Sequence, residues 1–293
     1  MSLVPVYQRR PSALHAARAG VSATFCMALA FAPILFDNPI VLGSLLCAIV
    51  VAAVGAGVAR DLRRWAVYAA GLALLVVIIN PLVTSDGLTV IWRGGSFLGR
   101  RWDVTLEAVV YGAVAALRVL DVVLAFALMS VAVDPDDLLR ALRRISYRSA
   151  LAAALTTRLV PVLARDASRK SDAARCRPEP PGRTAVARAA LAGSLERAVE
   201  LAAALEVRGY SRARRPQVAR LPWSRHDIRV LASALAIVVL AVAAKLAGAG
   251  GFQAYPTTQV SAGAAELALG FAFVALAAAP FLGASGRLGV ARA

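Results

Sequence analysis

Apolar residues fill six runs, roughly 19–36, 40–59, 65–84, 104–133, 229–248 and 264–284, each about the length a helix needs to cross a bilayer core. The first ends at Phe36-Asp37-Asn38-Pro39, the second stops at Arg60-Asp61-Leu62-Arg63-Arg64, and the third contains Asn80-Pro81. Between the runs the polar residues are mostly arginines. Arg9, Arg10 and Arg18 precede the first run, Arg60, Arg63 and Arg64 follow the second, and Arg287 and Arg292 follow the sixth. The long stretch from Asp134 to Asp227 is the most arginine-rich part of the chain. The positive-inside rule puts these regions in the cytoplasm, with an even number of spans and both termini inside. Residues 85–103 then lie outside despite Arg93, Arg100 and Arg101; a re-entrant or interfacial segment is the alternative.

The chain therefore divides into residues 1–133 with four spans, a cytoplasmic region 134–227, and residues 228–293 with two spans. The middle region carries its own helix signals. Asp134-Pro135-Asp136-Asp137 places a cap, a proline at the first helical position and acids in the first turn, and opens a short helix through Arg144. A second helix is predicted over Ser149–Arg177, bent at Pro161, before Pro178, Pro180, Pro181 and Gly182 break the chain. A third is predicted over Thr184–Arg208 and stops at Gly209. Along it Leu191, Leu195, Ala198, Ala202 and Leu205 recur at three- and four-residue steps, a narrow apolar seam that another helix could cross closely.

Composition supports a membrane class. Apolar residues make up 59% of the 293 residues and mean hydropathy is +0.68, while aromatics supply only 6%. Small side chains let helix backbones approach closely in lipid. The net charge of +16 would suggest nucleic acid in a soluble protein, but arginines that fall between spans are explained by topology. Cys26, Cys47 and Cys176 form neither a CxxC motif nor a Cys/His cluster, so no disulfide framework, metal site or cofactor is indicated. The N-terminus does not read as a cleaved signal peptide, because its apolar run is long enough to span and no small-residue cleavage site is evident. There is no phosphate-binding G-x-x-x-x-G-K-[ST] loop, no H-E-x-x-H and no G-x-S-x-G, and the two histidines, His15 and His226, lie far apart. No catalytic set is legible.

Three groups of charged residues remain. Arg118 and Asp121 lie three apart in the fourth span, which puts them on one helix face. Charge at bilayer depth is costly and usually paired or functional, so they read as a structural ion pair rather than as part of a relay chain. Glu107 can cap or anchor an interface, and Glu266 can sit at the surface. The third group is at the helix ends Arg175-Cys176-Arg177-Pro178 and Glu206-Val207-Arg208-Gly209-Tyr210. Taken alone, arginine there complements the negative end of a helix dipole.

From Phe36 to Tyr210, about 60% of the chain, the sequence resembles the transmembrane family of energy-coupling factor transporters, which includes the cobalt-transporter version. The matching stretches, in family order, begin with Asp37-Asn38-Pro39, Ile79-Asn80-Pro81-Leu82, Glu107 to Gly112 and Ala116-Leu117-Arg118. They continue with Asp134 to Leu142, Arg158 to Leu163 and Ala204 to Tyr210. The resemblance implies an all-α membrane protein of about six transmembrane helices, with an inserted cytoplasmic module of one short and two long crossed helices. It implies no enzymatic activity, two ABC ATPase subunits and a separate substrate-binding membrane subunit as partners, and uptake of a vitamin or transition metal across the cell membrane. By resemblance Arg177 and Arg208 are the ATPase-docking residues, with Arg175, Glu206 and Gly209 beside them. Cys176 and Pro178 replace the family's Ala and Gly around Arg177, and Val207 replaces the Ala before Arg208. A conventional ABC permease, or a membrane-bound enzyme or scaffold, are the rival classes; the first would need more polar residues in its spans, the second activity without an ATPase.

Overall fold

The computed structural model describes residues 10–83, 89–97, 100–142, 147–178, 181–209, 223–253, 259–260 and 263–282. They fall into two compact units, Met1–Leu138 together with Trp223–Ala293, and Leu139–Pro222. The first contains α1 (Ala13–Ala16), α2 (Ala19–Leu35), α3 (Pro39–Gly55), α4 (Ala59–Val83), β1 (Val90–Phe97), β2 (Arg100–Thr105) and α5 (Leu106–Ala132). A short α6 (Pro135–Leu142) straddles the boundary, and α7 (Tyr147–Arg175) and α8 (Arg183–Val207) make up the second unit. The chain returns to the first with α9 (Arg225–Leu246), β3 (Phe252–Gln253), β4 (Gln259–Val260) and α10 (Ala264–Ala278).

All six apolar runs form helices, and the fold is that of an all-α membrane protein with two small hairpins added. Three of these helices, α4, α5 and α9, are long and apolar enough to cross a membrane. The others are shorter, with 17 residues in α2, 17 in α3 and 15 in α10. At 1.5 Å per residue, the first two reach about 26 Å and the last about 22 Å, against a hydrocarbon core of about 30 Å.

Three of the helices start where the sequence supplies a side-chain cap. Asn38 accepts from the Ile40 N–H at 2.9 Å and Pro39 takes the first helical position of α3. Thr105 accepts from the Ala108 N–H at 3.4 Å to open α5. Ser224 and Asp227 form a reciprocal capping box on α9, and Asp227 also accepts from the Arg18 N–H at 2.7 Å, which ties the start of α2 to the start of α9. Between α3 and α4 the chain reverses at Gly57, whose φ of 72° is the left-handed conformation that suits glycine.

α5 packs against α2, α3 and α4, while α9 packs on α2 and α10 on α3. Phe25, Leu29, Phe36, Leu45, Ile49, Leu128, Ile237 and Phe273 are wholly buried in the core so formed. Between them, buried alanines such as Ala48, Ala52 and Ala125 keep the backbones close. α4 leans almost entirely on α5. Leu62 and Ala69 are buried, while Val67, Leu74, Ile78 and Val83 are exposed, the surface a helix offers to lipid. At the closest approach a Cβ added to Gly112 would stand 3.0 Å from the Asn80 Cβ.

Between α4 and α5 the described residues form a β-hairpin. β1 and β2 pair antiparallel from Val90↔Thr105 to Phe97↔Arg100, with irregularities at Val90/Trp92 and Gly94/Ser96. Glu107, buried at the base of this hairpin, accepts from the Thr89 hydroxyl at 2.7 Å and from its N–H at 3.2 Å, and so ties the start of the hairpin to α5. Glu266 differs from the surface placement expected: it is 7% exposed and accepts from the Gly263 N–H at 2.9 Å at the start of α10. A free backbone N–H there needs an acceptor, and the carboxylate three residues on supplies it.

Replacing Gly112 by Leu should lower the thermal midpoint of the detergent-purified chain, at a cost of about 1–3 kcal/mol for overpacking the α4–α5 contact. Ala113→Leu, on the exposed face one residue away, should leave it unchanged.

Candidate functional site

The second unit is a helical hairpin. α7 runs on through Pro161 to Arg175, two residues short of the predicted end, and α8 covers Arg183–Val207. The two run antiparallel: the Lys170 ammonium donates to the Ala189 carbonyl at 2.7 Å, and Arg197 is hydrogen-bonded to Asp166. Small residues make this approach possible, with Ala173 and Ala174 on α7 lining one groove with Ala185 and Ala189 on α8. A Cβ at Gly193 would come within 2.6 Å of the Lys170 Nζ, so the lysine ammonium lies in a space that glycine leaves open.

Both arginine-tipped ends are at the surface. Arg175, Arg177, Glu206 and Arg208 are all exposed. Arg177 follows α7 in a turn closed by its own N–H to the Ala174 carbonyl at 3.4 Å, and it lines the groove beside Pro181 and Val186 at the start of α8. Arg208 is the C-cap of α8, its N–H donating to the Ala204 carbonyl at 3.2 Å. Gly209, with φ 76°, then turns the chain in the left-handed conformation, and its N–H reaches the Glu206 carbonyl at 2.9 Å. Arg177 and Arg208 therefore mark opposite ends of α8, whose 25 residues span about 37 Å. Tyr210, the last residue of the second motif, lies outside the described residues.

The apolar seam is only partly where another helix lies. Leu205 is half-buried, whereas Leu191 and Leu195 are 64% and 68% exposed and Ala198 and Ala202 are exposed as well. α7 meets the neighbouring face, which includes Ala189, Gly193 and Arg197. Val199, 70% exposed, extends the outward stripe, and Val207, 89% exposed, stands beside Arg208. Helical spacing marks Val199, four residues after Leu195, as part of that stripe. Lys170, Asp166 and Arg197, which hold the hairpin together, carry no local signal.

The intramembrane pair needs correction. Arg118 does not pair with Asp121. Its guanidinium is bonded to Asp37 and donates to the Phe36 carbonyl at 2.9 Å, at the end of α2. Helix side chains lean toward the N-terminus of their helix, which carries Arg118 away from a residue three positions later. The free carbonyls at the end of α2 also offer it acceptors. Asp121 is wholly buried, and neither carboxylate oxygen has a hydrogen-bond partner.

A bundle of apolar helices with small residues at the contacts, and a separate basic helical hairpin with exposed arginines at both ends of α8, define a helical membrane protein with a polar insertion. Among the described residues no group of three His, Cys, Asp or Glu side chains could hold a metal ion. The chain belongs to the CbiQ family, the cobalt transport proteins, whose sequence profile matches residues 11–219. That is well over half of the chain, and it takes in the bundle as far as α5 and the whole hairpin. No curated protein matches. The chain is thus a membrane component of a transport system.

The Arg197 guanidinium, hydrogen-bonded to Asp166, holds that carboxyl below its usual value; the charges of Arg169 and Lys170 add to the effect. A lowered folded value gives stability that is present above the ordinary carboxylate range near 4 and is lost as pH falls through the lowered value. The pair is at the surface, so salt should weaken it too. Nitroxides at Val162 and Leu191 should report a narrow distance at neutral pH. The distribution should broaden in Asp166→Asn, in high salt and in acid.

Proposed function

We propose that the chain is the transmembrane coupling subunit of an energy-coupling factor importer. It passes motion from two ABC ATPase subunits to a substrate-binding membrane subunit, and that subunit selects a transition metal or vitamin. The observation that carries this reading is the exposed Arg208 at the C-terminus of α8, followed by Gly209 at φ 76°. A rod of 25 residues ending in a guanidinium has the form of a lever with a docking tip. Arg177 supplies a second tip at the other end of α8. Membership of a transport family supports the same reading.

The chemistry of the tip suits the task. A guanidinium presents five donors in a fixed plane and pairs with carboxylates in bidentate fashion, so it transmits direction as well as charge. Val207 offers an apolar contact next to it. Nucleotide binding by the ATPases would draw their two docking grooves together, and rods held in those grooves would have to shift or tilt. The energy then enters from nucleotide on the partner chains, and this chain redirects it as rigid-body motion of packed helices. The exposed stripe of Leu191, Leu195, Ala198, Val199 and Ala202 is the surface over which a membrane partner would slide.

Arg208→Glu should weaken ATPase binding by about 2 kcal/mol or more, roughly 30-fold, and abolish uptake by the assembled transporter. Combining it with Arg177→Glu should remove the ATPases from the purified complex. Arg188→Glu, also exposed on α8 but away from either tip, should retain both. If the two charge reversals still co-purify with ATPases and support uptake, the docking role is wrong.

A further inference from the structure

Two carboxylates stand near one half-buried cation, and only one of them is in use. Arg118, on α5, is bonded to Asp37 and to the Phe36 carbonyl, and so ties α5 to the corner between α2 and α3. Its Nε is buried with no acceptor. Asp121 stands three residues along the same helix, 0% exposed, with both oxygens unpartnered. Residues three apart on a helix are neighbours, so a rotamer change of Arg118 is enough to bring the guanidinium to Asp121. Asp37 would not then be left alone. Its side chain is 48% exposed, and the Lys245 ammonium lies 3.8 Å from its second oxygen.

We propose that Arg118 is a two-position latch, held by Asp37 and the Phe36 carbonyl in this structure and by Asp121 in a second state that frees the α2–α3 corner from α5. The two states are balanced by identifiable contacts. In the first, Arg118 follows the natural lean of a helix side chain and satisfies a terminal carbonyl of α2, while Asp121 is buried without a cation. In the second, Asp121 gains the cation that a carboxylate at that depth calls for, and Asp37 keeps Lys245 and solvent. A packed bundle does not deform smoothly, so exchange between two acceptors is the kind of step by which α2 and α3 can change their hold on α5. The latch belongs to this chain alone and holds whether or not the partners proposed above are correct.

A double-mutant cycle on the purified full-length chain tests it. With a latch, Asp37→Asn lowers the melting midpoint by only about 2–4 °C, because Arg118 moves to Asp121. Asp121→Asn alone changes it little, because Arg118 stays with Asp37. The double variant leaves Arg118 without a carboxylate and loses far more than the sum of the two. Without a latch, Asp37→Asn alone produces the full loss, or fails to fold, and adding Asp121→Asn changes nothing further or simply adds; any of these overturns the proposal. A second measurement reads the motion itself. Nitroxides replacing Ile34 on α2 and Ala113 on α5, both exposed, are placed in a background lacking Cys26, Cys47 and Cys176. Their distance should shift in Asp37→Asn; an unchanged distance also overturns the latch.

Discussion

A helix that ends in a buried corner must find partners for its last carbonyls, and one that begins there must find acceptors for its first N–H groups. That constraint governs the corner between α2 and α3. Neither helix is long enough to cross the hydrocarbon unaided, and four residues make the join workable. Phe36 is wholly buried and meets Phe273 edge to face with ring centroids 6.0 Å apart. Asp37 holds Arg118, whose guanidinium also covers the Phe36 carbonyl. Asn38, itself 0% exposed, caps α3 with its oxygen, and its amide nitrogen lies 3.5 Å from the Gly251 carbonyl. Pro39 begins α3 without an N–H to satisfy. The contact of α5 with this corner follows from how its polar groups are met, and that of α10 from the Phe36 ring.

The second unit is held by a different balance. Most of its described residues are exposed or half-buried, and α7 meets α8 through small residues, one lysine slot and one ion pair. Contacts of that kind contribute little each, since a surface ion pair gives about 0–1 kcal/mol and alanine contacts bury little area. Such a hairpin lets its helices shift against each other at low cost. It also leaves the leucines and valines of the outward face of α8 unburied, a liability for a domain standing alone and an asset for one that takes partners.

Local order was legible wherever punctuation is strong. Pro178 and Gly209 mark the ends of α7 and α8 to within two residues, and Asn38-Pro39 and Asp134-Pro135 mark the starts of α3 and α6. The β1–β2 hairpin was not, because Gly94-Gly95 interrupts the alternation that Val90, Trp92, Trp102 and Val104 would otherwise show. Long-range pairing was the least accessible. The Arg118–Asp37 bond joins residues 81 apart, so helical spacing offered Asp121 instead. The same limit applies to α8: its apolar period is plain in the sequence, but which face meets α7 depends on Lys170 and Gly193, whose proximity no local rule reveals.

The two rods also differ in stiffness. α8 contains no proline, and its hydrogen-bonded ladder runs from Arg183 to a C-cap fixed by the left-handed Gly209. α7 carries Pro161, which removes one backbone donor and introduces a point where a helix yields. C-terminal to that point α7 is held to α8 by Asp166 and Lys170, and on either side of the proline Val160 and Val162 are exposed. A push delivered at Arg208 would therefore travel along α8, and the weak contacts at Asp166 and Lys170 would pass part of it to α7. Motion passing on along α7 would be taken up at the proline. Under the proposed function, α8 is the lever and Pro161 the place where its stroke is absorbed or redirected.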